Sequence, residues 1–422
     1  MRTLLVVVVL TATAHADDSN FRPYIVGARA AGMGGAFTAL ADDGSGPYYN
    51  PAGVAFAKRS SLSLSASVYG LVTGTIANAL GDGHDFHYSD LNTFPVSTAV
   101  VRKLAPDTSL AFSVFVPDAF QIDDRDSIQG AQNAFFLSDN AQTVWAGPTF
   151  AKRFGRLGIG VSVFGLLGTE TQFLDLTAAG VPTRYVTITT RSDITTKGLV
   201  GALGLRYDLS EDLHLGLSVY SPELGTGARK QFIRVASATD QPPAGGTITE
   251  VVADDLHATP ALPLRVQAGI AWTTGAFTIA ADAIVLGPRT VHDDADRAAD
   301  GLDRTVVRHA VVDGSLGAEL VVAKSIPVRL GVFTDFAATK EPEEEKSGMP
   351  DPNATNTDHV NRIGGTFSLG YRTANTSTDA GMMITYGSGH DVAPNNLDFS
   401  DLVPTTWTQL YAYFFIASTY EF

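Results

Sequence analysis

The chain has 422 residues, 17% of them charged, with 41 Gly and no Cys. Soluble domains average roughly 25% charged residues, so an ordinary soluble enzyme fits poorly; the lack of Cys removes disulfides, thiolate catalysis and Cys-based zinc sites together. Forty-four acidic residues against 29 basic ones give a formal charge of −15, which argues against binding nucleic-acid phosphates. Mean hydropathy is slightly positive at +0.09, yet no apolar run is long enough for a membrane helix.

In chain order, residues 1–16 read as an export leader. Met1-Arg2-Thr3 is a short basic start, Leu4 to Leu10 an apolar stretch, and Ala14-His15-Ala16 a small-residue cleavage site. Cleavage there leaves Asp17 first and 28 basic residues against 44 acidic ones, a formal charge of −16. With no Cys behind the cleavage site, a lipid-anchored N-terminus is not expected.

Residues 17–59 show no alternation. Small residues from Gly27 to Ala41 allow close packing against a wall, while Asp42-Asp43-Gly44 and Asn50-Pro51-Ala52-Gly53 are turn signals. Pro51 removes a backbone donor and restricts Asn50, whose amide can bond nearby backbone, so the triplet predicts a sharp bend.

From Ser61 the pattern changes to period 2, with Leu62, Leu64, Ala66 and Val68 on one face and serines on the other. The alternation recurs and predicts fourteen strands, near 60–72, 94–103, 109–118, 142–154, 157–172, 193–207, 212–221, 263–274, 276–286, 308–322, 326–337, 360–372, 378–387 and 406–422. Alternation alone also fits a soluble sandwich. The loops separate the two, because tight turns (residues 104–108, 155–156, 208–211, 275, 323–325 and 373–377) alternate strictly with long polar connections. That is the layout of an all-β, antiparallel transmembrane barrel of the bacterial outer membrane. A lumen of this size needs filling, which predicts residues 17–59 inside it as a plug. Counting back by two from Phe422 puts Tyr420, Ser418, Ile416, Phe414 and Ala412 on the lipid face. A terminal Phe on an amphipathic strand resembles the signal read by the bacterial barrel assembly machinery.

The run from Gly27 to Gly53 resembles the N-terminal hatch of the FadL-type outer-membrane transporters of long-chain fatty acids and aromatic hydrocarbons, including the toluene-transport branch. Gly32, Gly34, Gly35, Asp42, Asp43, Asn50, Pro51 and Ala52 carry the match. The resemblance implies a monomeric fourteen-stranded barrel, a hatch over residues 17–59, a barrel over 60–422, an apolar groove outside and pocket inside, and lateral exit at a kinked third strand. A similar hatch is found in the barrel shuttles of type IX secretion, which leaves the ligand open.

No G-x-S-x-G elbow and no G-x-G-x-x-G before a helix occurs. Asp82, His84, Asp85 and His87 could bind metal but read as solvated polarity of the first long loop. Glu341, Glu343, Glu344, Glu345, Asp351 and Asp358 read as a solvated outer charge run, with divalent ions shared with lipopolysaccharide as the alternative. Neither enzyme activity, cofactor nor metal is expected. In the connection 119–141, Phe120, Phe135, Phe136 and Leu137 form a candidate ligand groove, or equally pack to close the barrel top. Arg265, Asp282, Asp313, Glu319, Arg329 and Arg372 fall on the inward register. Strand pairing about Gly275 and Lys324 suggests an inward ladder of Arg265 with Asp282 and Glu319 with Arg329, anchoring the plug or neutralising itself. The expected partners are a hydrophobic small molecule, fatty acid first and aromatic hydrocarbon second, with membrane lipid and lipopolysaccharide around the barrel. The competing expectation is an outer-membrane scaffold or secretion shuttle that binds exported proteins.

Overall fold

The structure is a computed structural model that describes residues 19–21, 25–65, 68–79, 83–94, 97–127, 134–180, 184–240, 246–256, 262–293, 304–343, 358–394 and 402–422. The expected leader, together with Asp82, Glu344, Glu345 and Asp351, lies outside the described residues.

Fourteen antiparallel strands follow one another around a closed barrel. They are β1 (Ser61–Ser65 and Val68–Ile76), β2 (Phe86–Phe94 and Ser97–Ala105), β3 (Thr108–Ser127), β4 (Ala134–Phe154), β5 (Leu157–Gly180), β6 (Arg184–Asp208) and β7 (Leu213–Tyr220 and Leu224–Asp240). The circuit continues through β8 (Gly246–Leu256 and Arg265–Thr274), β9 (Phe277–Leu286 and Arg289–Asp293), β10 (Arg304–Arg308 and Val311–Val322), β11 (Ile326–Asp335), β12 (His359–Arg372), β13 (Thr376–Pro394) and β14 (Leu402–Glu421). Closure is by β14 on β1, with Leu62 opposite Tyr420 and Val72 opposite Tyr411.

The count and the six tight turns agree with the alternation. Gly155 and Gly275 sit at positive φ, and Ala323 and Lys324 turn the β10–β11 hairpin at φ 48° and 63°, the left-handed geometry such short hairpins require. Along β14, Phe414, Ile416, Tyr420 and Phe422 are exposed while Tyr411, Tyr413 and Phe415 are buried. The same holds around the circuit: Leu, Val, Ile and Phe on the outward register are exposed side by side. An apolar exterior over a polar and aromatic interior is the signature of a barrel solvated by hydrocarbon.

The structure corrects the strand lengths at the long-loop end. β2 begins at Phe86, not near 94, so His87 lies on a strand and bonds Thr75 Oγ1 at 2.8 Å rather than standing in a loop. Asp85 accepts from the Asn78 amide. The connection 119–141 is mostly strand, since β3 runs to Ser127 and β4 starts at Ala134 with Arg125 opposite Phe136. Above the apolar belt both faces of a strand meet polar surroundings. Hydrophobic alternation disappears there while the backbone ladder continues.

Residues 25–57 are largely buried against the inward register of the strands. The helical turns α1 (Ala28–Gly32) and α2 (Gly46–Tyr49) and a 3-10 turn, Pro51–Phe56, are almost wholly buried. At the long-loop end Ser19 Oγ bonds Asp358 Oδ2 (2.7 Å) and Asn20 Nδ2 bonds the Asp335 carbonyl (2.8 Å). At the short-turn end Arg59 Nη1 reaches the Ala374 carbonyl (2.8 Å).

Candidate functional site

The lumenal segment sits against glycines of the wall. Gly34 has φ 64°, and a methyl on it would stand 2.8 Å from the Val332 amide and carbonyl. Opposite it, a side chain on Gly331 would run into Met33 and Gly34. Gly317 lies equally tight under Met33, Gly216 under Thr38, Gly160 under Pro51 and Gly204 under Asn50. Gly32 backs onto Ser368 and Arg329, and Gly35 takes φ 82° after α1. Strand glycines mark close backbone approach, and these face inward wherever the segment crosses. Glycines on the inward register of consecutive strands were a readable signal, and the motif-based reading passed over them.

Asn50 ties three pieces together. Its Nδ2 donates to the Thr38 carbonyl (2.9 Å) and to the Leu205 carbonyl on β6 (2.8 Å), while its Oδ1 accepts from the Ala52 amide (3.1 Å). Pro51 opens the 3-10 turn without leaving a lost donor. Asp43 Oδ1 accepts from the Ser45 amide and hydroxyl. Burial pushes the Asp43 carboxyl up, against the opposing pull of the Ser45 hydroxyl and the Arg29 charge. Asp42 pairs with Arg29 at 2.7 Å. Replacing Asn50 by Ala should cost the docking of residues 46–57 about 1 to 3 kcal/mol, since Asn50 is fully buried and two carbonyls lose their donor. Faster hydrogen exchange over that stretch is the expected readout; unchanged protection would assign the bend to Pro51 alone.

The inward charges meet the segment directly. Asp282 Oδ2 accepts from the Phe37 and Thr38 amides, both at 2.8 Å. Arg265 Nη2 donates to the Tyr48 carbonyl (2.9 Å), and its guanidinium lies 3.8 Å from the Tyr220 ring centroid and 4.6 Å from that of Tyr48. Glu319 is opposite Arg329 in register and bonds it at 2.6 Å, bonds Arg372 at 3.0 Å, and pairs with Arg29 of the segment at 3.2 Å. Arg329 also holds Asp379 at 2.7 Å. Burial works against the Arg29 charge, but Glu319, Asp42 and Asp43 outweigh it and raise its pKa.

One expected pairing is not formed. Arg265 faces Leu286 and Asp282 faces Gly269, an offset of four residues, or about 13 Å along a strand. The β8–β9 turn is tight enough to fix this register, so the two side chains serve different parts of the segment. Asp313 accepts from Thr334 Oγ1 and the Phe336 amide. A further buried inward pair went unread in the sequence: Arg362 lies 3.5 Å from Asp335 and donates to Gln409 Oε1 at 2.9 and 2.7 Å.

Two buried aromatic clusters on the inward face of the strands pack together with the segment. Phe86, Tyr88, Trp407 and Tyr411 form one, with Trp407 Nε1 donating to Tyr88 Oη. Phe115, Trp145 and Phe164 form the other, and Tyr48 packs edge-on to Phe115 and Trp145 at 5.7 Å. The β3–β4 ladder slips between Phe115 and Asp118 at Pro117. Of the expected groove residues, Leu137 is buried inside with Ile122 and Leu174. The Phe136 ring lies tilted against Phe173 at 5.7 Å, with the Arg125 guanidinium 5.5 Å from its centroid. The side chains of Phe120 and Phe135 lie outside the described residues. Glu341 binds His390 (2.7 Å) and approaches His359 (3.6 Å). Among the described residues no group of three or more His, Asp or Glu converges for a metal.

No protein-family model matches the chain, and no curated protein matches it. Among solved structures, a Pseudomonas aeruginosa FadL homologue aligns at 12% identity over 96% of this chain and 100% of that one, with a TM-score of 0.68. The Pseudomonas putida toluene transporter TodX aligns at 14% identity over 94% and 98%, TM-score 0.66. The Ralstonia pickettii toluene transporter TbuX aligns at 14% over the same shares, TM-score 0.61. The chain has the fold of these proteins along nearly its whole length.

Proposed function

We propose that this barrel lies in a bacterial outer membrane and passively admits hydrophobic small molecules, long-chain fatty acids first and aromatic hydrocarbons second, without enzyme activity or cofactor. In this reading residues 1–16 are an export leader and residues 17–59 a hatch. One observation carries the proposal: an apolar exterior encloses inward walls of aromatic side chains packed around a segment of small residues. A water-filled pore offers an apolar solute nothing, whereas burying its surface against such walls gains about 25 cal/mol per Å². The solved structures of like fold, a FadL homologue and two toluene transporters, support the ligand class without choosing between acyl chain and aromatic ring.

Mass spectrometry of ligands extracted from purified, delipidated protein tests this. Retained acyl chains or aromatics are the expected result. An empty lumen with a copurifying exported protein would favour the scaffold reading instead.

A further inference from the structure

The outer face of β5, β6 and β7 changes character abruptly at one level. Leu167, Leu199 and Leu224 end an unbroken apolar stretch on these strands, all exposed, with Leu224 opposite Leu199, and large apolar residues return on the outward register only at Phe173, Ile233 and Val235. The register then sets Leu167, Lys197 and Gly227 in one row, followed by Thr169, Thr195 and Arg229, then Thr171, Asp193 and Gln231, then Phe173, Arg191 and Ile233. All these positions lie on the outward register, and Lys197, Arg229, Arg191, Thr169 and Gln231 are exposed. Lys197 and Arg229 are diagonal cross-strand neighbours, about 7 to 8 Å apart at Cα. Asp193, in the middle of the band, is taken up by Arg191 (2.7 Å) and by the Thr171 hydroxyl (3.0 Å), which leaves it little charge to offer Lys197.

Beside the Arg191–Asp193 pair, two further cations on adjacent strands, Lys197 and Arg229, stand out in a chain with 44 acidic residues against 29 basic ones. They begin one row above hydrocarbon, the level at which the phosphates of a bilayer surface lie. From the Lys197 row to the Arg191 row is six residues, about 20 Å along a tilted strand, enough for a sugar headgroup and its phosphates. Exposed Thr and Gln side chains between the cations match sugar hydroxyls. The β3–β7 strands continue upward past this band and so present a wall beside it.

We propose that the outward face of β6 and β7 binds the phosphorylated sugar headgroup of an outer-leaflet glycolipid, with Lys197 and Arg229 on phosphate and Thr169, Thr195 and Gln231 on the sugar. The proposal rests on the outer-membrane reading above and is independent of what crosses the lumen.

The test uses the full-length protein folded in detergent, with binding of hexa-acylated, bis-phosphorylated lipid A followed by native mass spectrometry. Wild type should hold lipid A, and the double variant Lys197→Ala, Arg229→Ala should bind it about thirtyfold more weakly. Lys197→Arg with Arg229→Lys should keep most of the affinity. Heat-modifiable mobility on gels confirms that each variant is a closed barrel, so loss of binding is not loss of fold. Equal binding of dephosphorylated lipid A, equal binding of phosphatidylglycerol, or an undiminished double variant would each overturn the proposal. Cell fractionation of the wild type separates the two failures: a barrel found outside the outer membrane sinks the parent reading, and an outer-membrane barrel indifferent to lipid A sinks this one.

Discussion

Removing Asp17 to Ala55 is expected to raise single-channel conductance in planar bilayers from near zero to that of an open pore. The barrel should survive the deletion, because its closure runs through backbone pairing of β1 with β14 and of each strand with its neighbours, none of it involving residues 25–57. What is lost is the filling. The wall glycines that now receive Met33, Thr38, Asn50 and Pro51 would line a water channel, and a barrel of this strand number is too wide for its own side chains to close. Retention of a closed baseline in the deleted protein would show that the strands and connections of the long-loop end seal the lumen by themselves.

Arg329→Glu is the second change with a large expected effect. Arg329 is fully buried between Glu319 and Asp379, and breaking a buried pair costs about 3 to 5 kcal/mol. Reversal sets a carboxylate beside two others, and heat denaturation in detergent should begin well below wild type. Adding Glu319→Arg restores the β10–β11 pair but sets a guanidinium beside Arg29 and Arg372, which both lose Glu319 as acceptor, leaving Arg29 only Asp42. The swapped protein should therefore regain barrel stability while residues 25–45 stay deprotected in hydrogen exchange. If Glu319 and Arg329 merely neutralise each other, the segment remains protected in both variants.

The contrast between the two expected pairs shows how far register can be read. Around Lys324 the hairpin is short and symmetrical, so counting outward from the turn puts Glu319 opposite Arg329, as observed. Around Gly275 the same counting puts Asp282 opposite Gly269, and only a loose estimate brings Arg265 near it. Arg29 was legible as the one charge in a run of small residues from Gly27 to Ala41. That it meets Glu319, 290 residues away, was not.

The sequence by itself determined the number of strands, their order, the end on which the short turns lie, and the face each residue presents to lipid. Hydrocarbon tolerates apolar side chains alone, so period 2 is imposed wherever the wall is wetted by lipid. The tertiary structure decided what period 2 cannot encode. The strands of the long-loop end continue as polar β-structure where lipid no longer enforces alternation, which turned an apparent loop at 119–141 into β3 and β4. Inside the barrel, contacts such as Gly34 on Gly331, Asn50 on Leu205 and Asp282 on the Phe37 amide join positions far apart in the chain. They exist only once closure has brought fourteen inward faces around a segment that has no periodicity of its own.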